Sequence, residues 1–117
     1  MTAPVWVRWW YRGAATYGLL ALLPQYLRAP GSGAEVVTYG FIGTAAAFQL
    51  VFLVIARDPV RYRALMPVAV VEKLAFAVPV ATLFGLGKVP AAVLAFGAID
   101  LGLGAGFALA WRATPRG

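Results

Sequence analysis

The chain contains no cysteine and no histidine, and serine occurs once, at Ser32. Without cysteine there is no disulfide, no thiolate nucleophile and no thiolate metal site. Without histidine the commonest general base and metal ligand is gone. A Ser-His-Asp arrangement is therefore excluded. Carboxylates are scarce as well: Glu35, Asp58, Glu72 and Asp100 are the whole set. Two of the four, Glu35 and Asp58, fall in breaks between apolar runs. Neither a metal nor a cofactor is expected from such an inventory.

Charge is equally thin. Charged residues make up 12% of the 117 residues and hydrophobic ones 62%, whereas a soluble domain is about a quarter charged and about half apolar. One core of this size cannot hide that much apolar surface from water, so the outer surface is expected to face lipid. The length suits a single domain. The net charge of +6 would fit nucleic acid or an acidic partner, but the basic residues sit at the ends of apolar runs, where topology signals lie. The partner they indicate is the bilayer, and no nucleic acid is expected.

What is present is four apolar runs: Trp9 to Leu27, Val36 to Ala56, Ala64 to Leu86 and Val89 to Trp111. Each is close to the ~20 residues that cross a ~30 Å hydrocarbon core. Only a helix satisfies its backbone hydrogen bonds within one such segment, and the alternating short strands of a barrel are missing. The breaks read as turns. Arg28–Ala34 holds a proline and two glycines. Arg57–Arg63 opens with Asp58-Pro59, a good N-cap followed by a residue suited to the first helical position. Gly85–Lys88 is tight, and Pro90 follows it. Links this short make consecutive helices antiparallel neighbours. The expected fold is an all-α, integral membrane, four-helix antiparallel bundle.

Orientation follows from the short loops. Arg8, Arg12, Arg57, Arg61, Arg63, Arg112 and Arg116 fall on one side, and only Arg28 and Lys88 on the other. This bias places both termini in the cytoplasm and the chain in a cell inner (plasma) membrane. Trp6, Trp9, Trp10, Tyr11, Tyr62 and Trp111 fall at the cytoplasmic interface, where amphipathic rings collect. The first run has a competing reading as a signal peptide, with Gly13–Leu23 as its apolar stretch and a small-residue site near Ser32-Gly33-Ala34. Three tryptophans ahead of that stretch, and its continuation past Pro24 through Leu27, favour a retained span kinked at Pro24.

Charges inside a membrane cost roughly 2.5–3.5 kcal/mol each at a span centre, so Glu72, Lys73 and Asp100 single themselves out. At 1.5 Å per residue Glu72 lies ~10 Å from the cytoplasmic end of its span, Gln49 ~10 Å, Tyr17 ~12 Å and Asp100 ~16 Å. Each span thus offers one polar group to a common layer. Two readings stand open. Tyr17, Gln49, Glu72 and Asp100, with Lys73 on one flank, form a pocket for a cationic or hydroxylated ligand or a proton. Alternatively, Lys73 neutralises a carboxylate and Gln49 bonds between helices, and the layer only holds the bundle together. Lys73 is also the residue best able to snorkel to the interface. Since Glu72 and Lys73 are ~100° apart on a helix, they are not expected to point at one centre.

Ala98, Gly102, Gly106 and Ala110 repeat every four residues on the last span. That is a small-xxx-small stripe suited to close contact with a second copy or a larger membrane complex. Arg57, Arg61 and Arg63 read as a topology anchor or as a site for anionic lipid headgroups.

The stretch Arg57-Asp-Pro-Val-Arg-Tyr-Arg-Ala-Leu-Met-Pro-Val-Ala-Val-Val-Glu-Lys-Leu74, with a lone Asp100 in the last span, resembles small bacterial four-span membrane proteins of the broad DoxX-like class. The resemblance covers the second half of the chain. It implies a bacterial four-helix membrane bundle and assigns no residue a role. The functions in view are a non-enzymatic accessory subunit or small-ligand binder and, as the alternative, a small proton-coupled carrier or intramembrane isomerase working through Glu72 and Asp100.

Overall fold

The computed structural model describes residues 2–28, 31 and 33–117. The described residues form four α-helices and no strand: α1 Val5–Leu22, α2 Glu35–Arg57, α3 Met66–Gly85 and α4 Ala91–Ala113. Short 3-10 segments follow α1 at Leu23–Arg28 and precede α3 at Arg63–Leu65. Three stretches, 35–57, 63–85 and 91–113, are long and apolar enough to cross a membrane. The first helix differs. It starts at Val5 rather than Trp9, so that Arg8 as well as Arg12 lies inside it. Their side chains stay at the helix surface: Arg8 Nη1 donates to the Arg57 carbonyl at 3.2 Å, and Arg12 lies 5.1 Å from the Trp9 ring.

Local chemistry explains the element ends. The α-helical geometry of α1 stops at Leu22, and Pro24 sits in the tighter turn that follows. A proline there lacks the N–H that would continue the ladder, and its ring crowds the carbonyl four residues back. The expected turn over Arg28–Ala34 includes Ala29, Pro30 and Ser32, which lie outside the described residues, as does the small-residue site at Ser32. Between α2 and α3, Asp58 Oδ1 accepts a hydrogen bond from the Arg61 N–H at 3.3 Å and closes a turn, but the helical segment starts only at Arg63 with Tyr62 before it, so Asp58 is not its N-cap. Between α3 and α4, Gly87 takes φ +72, a conformation that residues with a Cβ rarely adopt. It closes the link through its own N–H to Phe84 O and that of Lys88 to Leu83 O.

The helices pack as two pairs, α1 on α2 and α3 on α4, and the pairs touch one another only lightly. Closure between pairs is concentrated at the arginine-rich end. There the Tyr11 ring stacks on Phe107 at 4.3 Å, and Phe52 tilts against Phe107 at 4.8 Å. Val7, Ile55, Met66 and Ala110 complete this core. Trp10 Nε1 donates to the Leu103 carbonyl at 3.1 Å, joining α1 to α4. Toward the other end the pairs separate, apart from a Phe41–Phe76 contact at 6.3 Å between α2 and α3.

Two expectations are corrected here. Tyr11 is not an exposed ring beside the tryptophans; it is fully buried, while Trp9 remains 63% exposed. The cause is helical phase: Tyr11 shares a face with Val7, Ala14, Ala15 and Gly18, all of them buried, and Trp9 does not. The small-residue stripe on α4 is also divided. Gly106 and Ala110 are buried within the chain, whereas Ala98 and Gly102 are exposed. A Cβ at Gly106 would collide with the Trp10 indole, and one at Gly102 would meet nothing.

Candidate functional site

The gap between the two helix pairs is a cavity of about 1080 Å³. That is slightly above the usual range of ligand pockets, about 300 to 1,000 Å³. Its walls are mainly apolar: Phe41 and Phe48 from α2, Val71 and Phe76 from α3, and Val93 and Phe96 from α4. On α1, α2 and α4 the lining residues nearest the arginine-rich end are Tyr17, Gln49 and Asp100. Beyond them the Tyr11–Phe52–Phe107 cluster seals the chain. These polar residues are thus the floor of the cavity, and Glu72 and Lys73 from α3 join them. At the opposite rim, Gln25 and Arg28 follow α1.

All five residues singled out for the polar layer, Tyr17, Gln49, Glu72, Lys73 and Asp100, therefore line one cavity. Their internal arrangement departs from expectation at Lys73. It lies at the centre of the cluster, 2% exposed, instead of on a flank or snorkelled to the interface. Its ammonium stands 3.4 Å from Glu72 Oε2 and 3.8 Å from Asp100 Oδ1. The Phe52 ring centroid is 5.2 Å away, within cation–π range. The ~100° separation of Glu72 and Lys73 constrains where their Cβ atoms start, not where a four-carbon stem ends. The stem has room because α4 presents Gly104 to it: a Cβ at Gly104 would come within 3.1 Å of Lys73 Cβ.

Gln49 is positioned by a different glycine. Its Nε2 donates to the Ala45 carbonyl at 2.8 Å, and its Oε1 is packed against α1 at Gly18, where any Cβ would collide with it. Gln49 Oε1 and Glu72 Oε2 are buried acceptors with no hydrogen-bond donor. The Lys73–Glu72 contact is thus a charge contact without hydrogen-bond geometry. Pro79 stands inside α3 and cannot donate to the carbonyl of Ala75, four residues earlier. Ala75 also lines the cavity.

The sequence places Phe76 on the Glu72 face of its helix, but sequence reasoning missed the other aromatic walls and what the two glycines admit. The walls had a signal: Phe41, Ala45, Phe48 and Gln49 fall on one helical face, as do Val93, Phe96 and Asp100, so spacing from each polar anchor marks the lining. Gly104 shows in the sequence only as a small residue on the Asp100 face, four residues on; Gly18 carried no signal, and what either glycine admits depends on which helix lies opposite.

The arginine loop is used structurally. Arg63 Nε donates to the Thr114 carbonyl at 2.8 Å, and its guanidinium lies 4.6 Å from the Trp111 ring. Arg61 and Arg63 share a shallow pocket of about 370 Å³ with Arg116, and Arg57 is not part of it.

No protein-family model, curated protein or solved structure matches this chain. Fold and site define an all-helical chain with three membrane-length helices and a large apolar cavity with a charged floor.

Proposed function

We propose that the chain is a four-span inner-membrane protein with antiparallel helices and cytoplasmic termini that binds a small amphipathic ligand between its two helix pairs. One observation carries the ligand reading: a cavity of about 1080 Å³ brings apolar walls and the Glu72–Lys73–Asp100 cluster together. The cluster is not sealed between the helices: the Glu72 and Asp100 side chains keep 14% and 16% of their surface exposed and line the cavity. The membrane reading is supported by the three long apolar helices and by apolar side chains exposed along all four outside the cavity, among them Leu20, Val36, Val78 and Leu109. The first helix and its 3-10 extension together run from Val5 to Arg28 and serve as the remaining span, with Arg8 and Arg12 at the headgroup level. The DoxX-like resemblance adds no role for any residue.

Two measurements test this. Reporter fusions after Arg28 and Lys88 should read outside and those after Arg57 and Arg116 cytoplasmic; a cytoplasmic signal at Lys88 would sink the topology. Native mass spectrometry from nanodiscs should find a retained small molecule that Ala75→Trp, which fills the cavity wall, removes without unfolding the protein. Retention unchanged by Ala75→Trp would place the molecule elsewhere. Because two carboxylates meet at the floor, a proton-coupled carrier or an acid–base isomerase is the second reading; uptake driven by an imposed proton gradient and lost in Asp100→Asn would favour the carrier.

A further inference from the structure

Resting on the reading of the cavity as a ligand site, we propose that its occupant is a monocationic amphiphile, with an N–H-bearing cationic head seated on Glu72 and Asp100 and an apolar body along the aromatic walls. Three observations point the same way. The first is charge balance. The groups facing the cavity floor are Tyr17 from α1, Gln49 from α2, Glu72 and Lys73 from α3, and Asp100 from α4. Two carboxylates face one ammonium, so the ionised cluster carries one surplus negative charge. Uncompensated charge in a low-dielectric site is costly, and a single cation cancels it.

The second is hydrogen-bond balance. Glu72 Oε2 is a buried acceptor without a donor. Lys73 is the one cation in the cluster, and it is already held between both carboxylates. Glu72 Oε2 is thus open to a donor from outside the chain, and an ammonium head supplies three. An anionic head would add acceptors and a second surplus charge.

The third is shape. From Asp100 to Val93 the α4 wall runs seven residues, or ~10 Å at 1.5 Å per residue. Phe96 lies between those two residues, and Phe41, Phe48 and Phe76 face it from α2 and α3. A head at Asp100 therefore leaves its apolar body against rings. These rings also offer π-faces, which favour cations over anions.

The test is a matched probe series on the full chain in phosphatidylcholine nanodiscs, with empty nanodiscs subtracted. Octylammonium, octyltrimethylammonium, octanol and octanoate share one tail and differ in charge and donors. Octylammonium should bind saturably and at least tenfold more tightly than octanol. Octyltrimethylammonium, a cation without donors, should fall between them, and octanoate should show no saturable binding. Asp100→Asn and Glu72→Gln, each checked for an unchanged thermal midpoint, should weaken octylammonium about tenfold and leave octanol as it was. Octanol binding as tightly as octylammonium, or octanoate binding best, would overturn the cationic assignment while leaving the cavity as a ligand site. Saturable binding of none of the four would overturn both. The wild-type series decides the matter even if a variant fails to fold.

Discussion

The Lys73 ammonium lies 3.8 Å from Asp100 Oδ1, across the α3–α4 interface, and 3.4 Å from Glu72 Oε2 on its own helix. One buried cation thus holds two carboxylates at the floor of the cavity. Removing it alone leaves both without a counter-charge. Lys73→Met is expected to destabilise the fold by about 3–5 kcal/mol, the usual cost of breaking a buried pair from one side. Lys73→Met with Asp100→Asn should recover part of that loss, because the Lys73–Asp100 pair is removed together and only Glu72 is left without a counter-charge. Thermal unfolding in nanodiscs measures both, and a double variant no more stable than the single one would contradict the pairing.

Gly18 and Gln49 form a second close relationship. The amide of Gln49 occupies the space a Cβ at Gly18 would need. Gly18→Ala should therefore cost about 1–3 kcal/mol, as overpacking does. Gln49→Ala in the same chain should relieve the collision and restore stability above that of Gly18→Ala alone. Additive losses in the two variants would show that α1 and α2 do not meet there.

The two glycines of the α4 stripe should respond in opposite ways. Gly106→Ala collides with the Trp10 indole, which is also tied to the Leu103 carbonyl, so it should destabilise the α1–α4 contact by about 1–3 kcal/mol. Gly102→Ala meets open space and should leave folding stability unchanged. Crosslinking in membranes then separates the two uses of the stripe. Loss of a crosslinked dimer in Gly102→Leu would assign the exposed half of the stripe, Ala98 and Gly102, to a partner. An unchanged pattern would confine its use to the inside of the chain.

Arg63 anchors the segment after α4. Its Nε–H bonds the Thr114 carbonyl at 2.8 Å, and its guanidinium stacks on Trp111. Arg63→Ala should raise hydrogen exchange from Thr114 onward while leaving the helix cores protected. Arg63→Lys should not restore protection, because an ammonium lacks the planar fork that stacks and bonds together. Full protection in Arg63→Lys would reduce the role of the residue to charge.

Helix number and composition were legible in the sequence because they are local. An apolar run of about twenty residues bounded by Pro, Gly and Arg forms a helix whatever surrounds it, and α2, α3 and α4 fall within two residues of the expected limits. The cluster residues were legible for a related reason: polar groups in apolar runs are few, and their depths follow from rise per residue. The start of α1 was less so, since Arg8 and Arg12 look like flanks until Arg57 supplies a carbonyl for one and Trp9 a ring for the other. What only the tertiary structure decided was which faces meet. Tyr11 is core because Phe52 and Phe107 come to it from two other helices. Lys73 is central because Gly104 lies opposite its stem. The cavity exists because the two helix pairs converge at Tyr11–Phe52–Phe107 and separate beyond it. Each of these depends on axial offset and rotation between helices, and a one-dimensional pattern carries neither: it fixes the phase of each helix about its own axis and leaves open what that face is turned toward.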